Sequence, residues 1–351
     1  MDRRDFIKGS GAALGSLVSL ESAQGTIAQE QGAARSEAVP ETIGRPVRAV
    51  SVGFKLGLPL EQIADLVDKE GARGADIIAL PEECRGETVS EGLDGPTITA
   101  MGALASKHRT YIVCPINRKD GDRRFNSAVL LDRRGQVAAV YNKMYPFSFA
   151  KDSPTNIQVD GFGHVLLQPG ETPTVVSTDF GRVGLAICFD VNWPRVWQRL
   201  EDFGAELVIW PSAYTAGRSL QAHAIQHNYY IMSATWVPDC LVYDLDGEEL
   251  LYEHSNVAAN INVSRFTFDL DRCLFHQDYN LSRKLASLLN EHGDDVEREK
   301  WLPREGWFVL KAKRPGVSAR ELAAKAGLEE RRPYINRCRC DVDKVRGWEF
   351  A

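Results

Sequence analysis

The sequence predicts a mixed α/β protein in which two β-sheets pack face to face and helices cover the outside. Short apolar runs alternate with helix-period stretches over residues 46–252. Polar turns such as Asp132–Gly135 join neighbouring runs into hairpins. Helices on one face of a sheet leave its other face needing a second sheet or a partner. With 44% hydrophobic side chains in 351 residues, the chain can fill such a core.

Apolar runs bounded by Gly, Pro or polar residues predict the strands. In order, these are Val47–Phe54, Ala75–Leu80, Thr110–Ile116, Asn126–Leu131, Gln136–Asn142, Thr174–Thr178, Val183–Ile187, Glu206–Trp210, Tyr229–Ala234, Leu241–Leu245 and Glu249–Tyr252. Apolar residues recurring every three to four positions predict the helices. These are Pro59–Gly71, Pro96–His108, Pro194–Phe203 and Arg218–Asn228. We therefore expect one domain over 47–280, and a charged, turn-rich extension over 281–351 that wraps the domain or a dimer.

The first residues resemble a Tat export signal. Arg3–Lys8 has the sequence RRDFIK, and the weakly apolar stretch Gly9–Leu20 follows it. That stretch is shorter than the roughly 20 apolar residues of a membrane-spanning helix. We expect a signal peptide over residues 1–28, with cleavage after Ala23 or Ala28.

Residues 29–46 are rich in Ala, Gln, Glu and Gly without an apolar period, which predicts a flexible linker. Export by the Tat machinery would place the protein in the periplasm or outside the cell, or at the membrane if the signal stays uncleaved. The net charge is −6, and no long Lys/Arg run is present, so nucleic acid is not an expected partner.

The chain has seven cysteines, an odd number. Because a Tat substrate folds before it crosses the membrane, we expect few or no disulfides. Cys338 and Cys340 are the exception, since thiols in a basic, exposed tail can pair or bind a soft metal.

Three reactive residues follow predicted strands. Glu82 comes directly after an apolar strand and Pro81, Lys143 follows the strand ending at Asn142, and Cys188 follows an apolar strand. A carboxylate can take the thiol proton, and an ammonium favours the thiolate and can stabilise a developing oxyanion. Together, these residues predict a nucleophilic thiol site.

Four blocks resemble the active-site motifs of the nitrilase, or carbon-nitrogen hydrolase, superfamily. They are Ala79–Glu82 (ALPE), Tyr141–Lys143 (YNK), Gly184–Asp190 (GLAICFD) and Trp210–Tyr214 (WPSAY). The resemblance extends over Val47–Arg272. It implies an α-β-β-α sandwich that pairs with a second copy into a homodimer or a higher homo-oligomer.

The resemblance also implies the chemistry. Glu82 is the base, Cys188 the nucleophile, and Lys143 with the backbone N–H of Phe189 binds the oxyanion. The reaction is hydrolysis of a non-peptide carbon-nitrogen bond through a thioester, with release of ammonia or an amine and no metal or organic cofactor. Phe189 and Asp190 resemble amidase-type branches more than true nitrilases, so a small amide or N-carbamoyl substrate is expected.

The chain departs from the family pattern before Pro169 and Gly170. Many members have a second glutamate there, whereas no Glu lies between Lys143 and Gly170 in this chain. Three other residues are possible replacements, and the sequence does not choose among them. They are Asp152, Asp160 and His164.

Polar and aromatic residues beside the blocks are candidate pocket walls. They are Tyr145, Asn192, Trp193, Tyr214 and Trp236. The segment Met144–Gln168 is expected to form a loop over the site.

Three alternatives remain open from the sequence. The first is a nitrilase acting on a nitrile. The second is a metallohydrolase using His223 and His227, which lie one helical turn apart; it lacks the Glu that follows the first His in zinc-protease helices and has no evident third ligand. The third is a binding protein on an inactive hydrolase fold.

Overall fold

The computed structural model describes residues 42–86, 88–147, 167–255, 260–279 and 281–347. The predicted signal peptide and all but the end of the linker lie outside these residues. Within the described ranges, every helix is too short or too polar to cross a bilayer.

Sixteen strands and seven helices form the described chain. The strands are β1 (Pro46–Phe54), β2 (Ile77–Ala79), β3 (Ser90–Glu91), β4 (Tyr111–Asp120), β5 (Arg123–Leu131), β6 (Val137–Asn142), β7 (Thr174–Ser177), β8 (Arg182–Leu185), β9 (Leu207–Ser212), β10 (Tyr230–Thr235), β11 (Asp239–Tyr243), β12 (Glu249–His254), β13 (Ile261–Asp269), β14 (Cys273–His276), β15 (Val296–Leu302) and β16 (Trp307–Ala312). The helices are α1 (Leu60–Ala72), α2 (Pro96–His108), α3 (Pro194–Asp202), α4 (Gly217–His227), α5 (Leu281–His292), α6 (Ala319–Lys325) and α7 (Arg331–Arg346).

The strands form two large sheets and one small one. The first sheet has the order β13-β1-β2-β4-β5-β6, with β3 beside β4, and the second has the order β12-β11-β10-β9-β8-β7. In each, parallel central pairs are flanked by antiparallel strands: β1, β2 and β4 run parallel in the first sheet, and β8, β9 and β10 in the second. β2 thus lies inside the first sheet, and β8 lies next to the edge strand β7 of the second.

The two large sheets share one apolar core. Residues of both inner faces, such as Ile77 and Val113 from the first sheet and Ile209 and Met232 from the second, belong to one buried cluster. A second cluster packs α1 and α2 on the outer face of the first sheet, and a third packs α3 and α4 on that of the second. The predicted α-β-β-α sandwich is confirmed.

The C-terminal segment contains regular secondary structure that the sequence did not predict. It adds a three-stranded sheet of order β14-β16-β15, with α5 and α6 packed on it around a separate buried cluster. Leu281, Leu285 and Leu288 form the buried stripe of α5 at helical spacing. Charged residues between these positions concealed the stripe, because only one side chain in three or four points inward.

Cys338 and Cys340 both lie on α7, and all seven cysteines have free thiols. Residues two apart on a helix point to different sides, so this spacing does not favour a bond between them.

Candidate active site

The structure brings Glu82, Lys143 and Cys188 together at one end of the sandwich. Glu82 lies in the loop after β2, Lys143 directly follows β6, and Cys188 begins a 3₁₀ turn after β8. Their residues are only 3%, 3% and 6% exposed, respectively. All three line one cavity.

Glu82 and Lys143 form a buried ion pair. Lys143 Nζ donates to Glu82 Oε1 at 2.7 Å. Burial alone would lower the pKa of the Lys143 ammonium, but the negative charge of Glu82 outweighs this effect and the pKa lies above its usual range. Lys143 is therefore a permanent cation in the cavity wall.

The backbone around Lys143 is also fixed. Its carbonyl oxygen accepts a hydrogen bond from Gly170 N at 2.9 Å. A Cβ at Gly170 would lie 2.1 Å from the carbonyl oxygen of Asn142, so only glycine permits this approach. The Pro-Gly pair seen in the sequence thus holds the end of the strand that presents Lys143.

Cys188 has a left-handed backbone with φ 45°, a conformation that non-glycine residues adopt rarely and often at functional sites. Burial and the nearby Glu82 carboxylate raise the pKa of the thiol to about 12, although Lys143 opposes them. The expectation that the ammonium would favour a thiolate is thus outweighed. The Cys188 thiol is therefore neutral near pH 7.

Asp190 holds the turn that presents Cys188. Its carboxylate accepts hydrogen bonds from Tyr141 Oη at 2.7 Å, from Tyr145 N at 2.9 Å and from Ile187 N at 3.0 Å. These contacts explain why β8 ends at Leu185, two residues before the predicted strand end. Burial raises the pKa of Asp190 to about 6, against the opposing charge of Lys143.

Three further contacts fix the reactive loops. Trp210 Nε1 donates to the Cys188 carbonyl at 3.1 Å, and Trp236 Nε1 donates to the Glu82 carbonyl. Asn126 Nδ2 donates to Glu82 Oε1 at 2.7 Å. Asn126 was not identified from the sequence; its only signal was a polar residue at the start of an apolar strand beside the YNK strand.

The cavity has a volume of about 570 Å³ and mostly apolar walls. Besides the three reactive residues, it is lined by Glu83, Asn126, Pro146, Phe147, Leu167, Phe189, Asn192, Ala213, Tyr214 and Trp236. Asn192, Tyr214 and Trp236 thus lie where the sequence predicted walls. Tyr145 and Trp193 instead stack on each other at 4.1 Å, and Trp193 packs edge-on against Phe189.

The described ends of the loop expected over the site, Phe147 and Leu167, both line the cavity. The proposed glutamate replacements, Asp152, Asp160 and His164, lie outside the described residues.

His223 and His227 are engaged in contacts other than metal binding. His223 Nε2 donates to the Val191 carbonyl at 2.8 Å, and His227 Nδ1 hydrogen bonds Glu201 Oε2 at 2.7 Å. Burial lowers the pKa of His223 to about 4. Among the described residues, neither histidine belongs to a trio of His, Cys, Asp or Glu whose ligand atoms come within 4.8 Å of one another. The arrangement therefore gives the metallohydrolase alternative no support.

A two-sheet α/β sandwich with a thiol, a carboxylate and an ammonium lining one cavity is the arrangement on which the family comparison bears. Residues 58–258 match the carbon-nitrogen hydrolase family model. The protein belongs to the carbon-nitrogen hydrolase family, within the nitrilase superfamily.

Relatives with assigned names agree with this membership. The chain is 31% identical over 196 residues to the nitrilase and fragile histidine triad fusion protein of Drosophila melanogaster, covering 51% of this chain and 41% of that protein. It is 29% identical to the chloroplastic omega-amidase of Arabidopsis thaliana, covering 42% of each chain. It is 30% identical to the deaminated glutathione amidase of Yersinia enterocolitica, covering 41% of this chain and 53% of that protein. The chain thus spans about half the length of these relatives.

Solved structures show the same fold. A member of branch 10 of the nitrilase superfamily from Saccharomyces cerevisiae superposes with a TM-score of 0.54 at 16% identity, covering 65% of this chain and 91% of that chain. An amidase from Nesterenkonia sp. gives a TM-score of 0.52 at 19% identity, covering 72% and 99%.

Proposed function

We propose that the protein is an amidase-type enzyme that hydrolyses a small amide or N-carbamoyl compound through a thioester on Cys188. The observation that carries the proposal is the shared cavity of Cys188, Glu82 and Lys143, in which a neutral thiol lies beside a carboxylate already paired to an ammonium. This arrangement supplies a nucleophile, a base and a cation without further groups.

In the first half-reaction, the Cys188 proton moves to Glu82 while Sγ attacks the carbonyl carbon. The carbonyl electrons move to oxygen, and Lys143 Nζ and the Phe189 N–H stabilise the resulting oxyanion. When the intermediate collapses, the carbon-nitrogen bond breaks and the leaving nitrogen takes the proton from Glu82. Ammonia or an amine departs, and a thioester remains.

In the second half-reaction, water gives a proton to Glu82 and its oxygen attacks the thioester carbon. The carbon-sulfur bond breaks when this second intermediate collapses. Cys188 sulfur recovers the proton from Glu82, and the carboxylic acid product leaves. Because the raised thiol pKa favours the protonated form, release of a neutral thiol assists this step.

The cavity walls favour an apolar or aromatic acyl group. Phe147, Phe189, Tyr214 and Trp236 are four aromatic residues among its described walls. Among the described lining residues, Lys143 is the only Lys, Arg or His, and Glu82 already pairs with it. An acyl group bearing a carboxylate would find no second cation on these walls. The amidase names of two relatives favour an amide over a nitrile.

The test is release of ammonia or amine from phenylacetamide, N-carbamoyl-phenethylamine, succinamate and phenylacetonitrile, comparing wild type with Cys188→Ala. We expect turnover of the first two by wild type alone. Equal turnover by Cys188→Ala, or activity removed by chelators, would exclude the thiol mechanism. Turnover confined to the nitrile would indicate a nitrilase. An alkylatable Cys188 without turnover of any compound would favour a binding protein.

We further propose that the enzyme works as a homodimer or higher homo-oligomer after Tat export. The export proposal rests on the twin-arginine sequence Arg3–Lys8, and the oligomer on the family resemblance. Size-exclusion chromatography with light scattering tests the oligomer; a monomer at micromolar concentration would contradict it.

A further inference from the structure

Asn126 contacts both charged members of the site, in two different ways. Its side-chain Nδ2 donates to Glu82 Oε1 at 2.7 Å, and its backbone carbonyl accepts from Lys143 N at 2.8 Å. The residue is 3% exposed and lines the reactive cavity. One position on β5 therefore fixes the backbone that presents the ammonium and the side chain of the base.

The orientation of the Asn126 amide follows from its partner. An ionised carboxylate only accepts hydrogen bonds, so the NH₂ group, and not the oxygen, must face Glu82. The donor is neutral, so it adds a hydrogen bond without adding a second positive charge to the Glu82–Lys143 pair.

Both donors bind the same carboxylate oxygen. Lys143 Nζ and Asn126 Nδ2 each lie 2.7 Å from Glu82 Oε1, whereas Glu82 Oε2 is buried and has no hydrogen-bond partner among the described residues. An oxygen with two donors is a poor proton acceptor, and an oxygen with none is a good one.

We infer that Asn126 is a positioning residue for the proposed hydrolysis. Together with Lys143, it holds Oε1 of Glu82 by hydrogen bonds, so that Oε2 is the oxygen that exchanges the proton with Cys188. The proton moves from Sγ to Oε2 and then to the leaving nitrogen. Asn126 keeps its own protons throughout. The inference rests on the proposed function only in naming Glu82 as the base.

The first test follows alkylation of Cys188 by iodoacetamide between pH 5 and 10, with peptide mass spectrometry to separate it from the other six thiols. This reaction needs no substrate, so it still tests Asn126 if no amide is hydrolysed. Loss of one hydrogen bond to a charged group corresponds to a change of about ten- to hundredfold in a rate or equilibrium constant. The variant also loses the contact that orients Oε2, so we expect Asn126→Ala to slow base-assisted alkylation by up to that factor even though its carboxylate is more basic, and Glu82→Gln to abolish the assisted part.

The second test is the pH profile of kcat/KM on the substrate found above. Without the neutral donor, the ionised carboxylate is less stabilised, so the acidic limb should move to higher pH in Asn126→Ala. A merely structural role would lower the amount of folded enzyme without moving the limb. The titratable or charged groups that face Glu82 in the cavity are Glu83, Lys143, Cys188 and Tyr214.

The matched control is Ser127→Ala. Ser127 is the next residue on β5, is equally buried, and donates to Asn142 Oδ1 at 2.7 Å, away from Glu82. The Ser127→Ala substitution should leave the acidic limb and the Cys188 alkylation rate unchanged.

Asn126→Asp keeps the side-chain size and serves if the alanine variant misfolds. At pH 8, the carboxylate introduced at position 126 repels Glu82, so the rate of Cys188 alkylation should also fall at least tenfold. A folded Asn126→Ala or Asn126→Asp with wild-type alkylation rates and an unmoved limb would overturn the inference.

Discussion

The Lys143 ammonium lies 2.7 Å from Glu82 Oε1, with both side chains only 4% exposed. Removing one partner of such a pair leaves the other charge buried and unpaired in surroundings of low polarity. In the proposed mechanism, the pair therefore links stability to catalysis, because the two groups that act on the substrate also neutralise each other in the resting protein.

The first prediction concerns this pair. Lys143→Met should lower kcat by about 10²–10³-fold, because one oxyanion donor is lost. It should also lower the free energy of unfolding by about 3–5 kcal/mol, because Glu82 is left buried without a cation. Steady-state kinetics and urea denaturation measure the two effects.

The control for that variant is Lys107→Met. Lys107 forms an equally short ion pair with Asp68, 2.6 Å, but their side chains are 59% and 40% exposed. Exposed pairs contribute only about 0–1 kcal/mol. If both substitutions changed stability and kcat equally, burial would not be the cause.

The second prediction concerns Asp190 and pH. Its folded pKa of about 6 lies above the ordinary 3.8, so folding favours the protonated acid. The stabilisation is complete below pH 4 and is lost as pH rises towards 6, by at most about 3 kcal/mol. Asp190→Asn removes this titration, so its unfolding free energy should fall less between pH 4 and 6 than that of wild type. Parallel pH profiles of the two proteins would contradict this origin.

The third prediction concerns the attachment of the C-terminal sheet. Arg272 binds Asp244 with two hydrogen bonds of 2.7 and 2.9 Å, and Asp244 is fully buried. Lys300 Nζ also donates to Asp244 Oδ2, so Asp244 keeps one cation in Arg272→Met. The substitution should then destabilise the fold by about 1.5–3 kcal/mol, the loss of hydrogen bonds to a charged group. Arg272→Met with Asp244→Leu should recover part of the loss, because the buried carboxylate is then removed. Thermal and urea unfolding of the single and double variants measure the coupling. Strictly additive effects would be evidence against it.

The fourth prediction concerns export. Replacing Arg3 and Arg4 together by Lys should retain the full-length protein in the cytoplasm of a Tat-competent bacterium, because the twin arginines are the recognition feature. Immunoblots of cell fractions provide the measurement. Substituting Arg35, which follows the proposed signal peptide, should leave the distribution unchanged. Equal periplasmic amounts of wild type and the double-lysine variant would rule out Tat recognition.

Apart from the two-residue strand β3, the order of strands and helices through Tyr252 was predictable, because each of these elements has its own apolar pattern. The predicted bounds of α2, Pro96–His108, match the structure in full. The β4–β5 hairpin extends to Asp120 and Arg123, beyond the predicted ends, because backbone pairing continues where the side chains become charged and exposed. Charged residues likewise obscured the apolar stripe of the C-terminal sheet and helices.

By itself, the sequence determined the class of fold and predicted Glu82, Lys143 and Cys188 as the reactive residues, because both depend on local apolar runs and short motifs. Only the tertiary structure decided which groups surround them. Asn126 reaches Glu82 across 44 positions of sequence, and Asp190 reaches Tyr141 across 49. The pKa of the Cys188 thiol depends on burial and on charges from other strands. Electrostatic and burial effects on a pKa depend on distances between groups and on the exclusion of solvent, and the amino-acid sequence does not specify these directly.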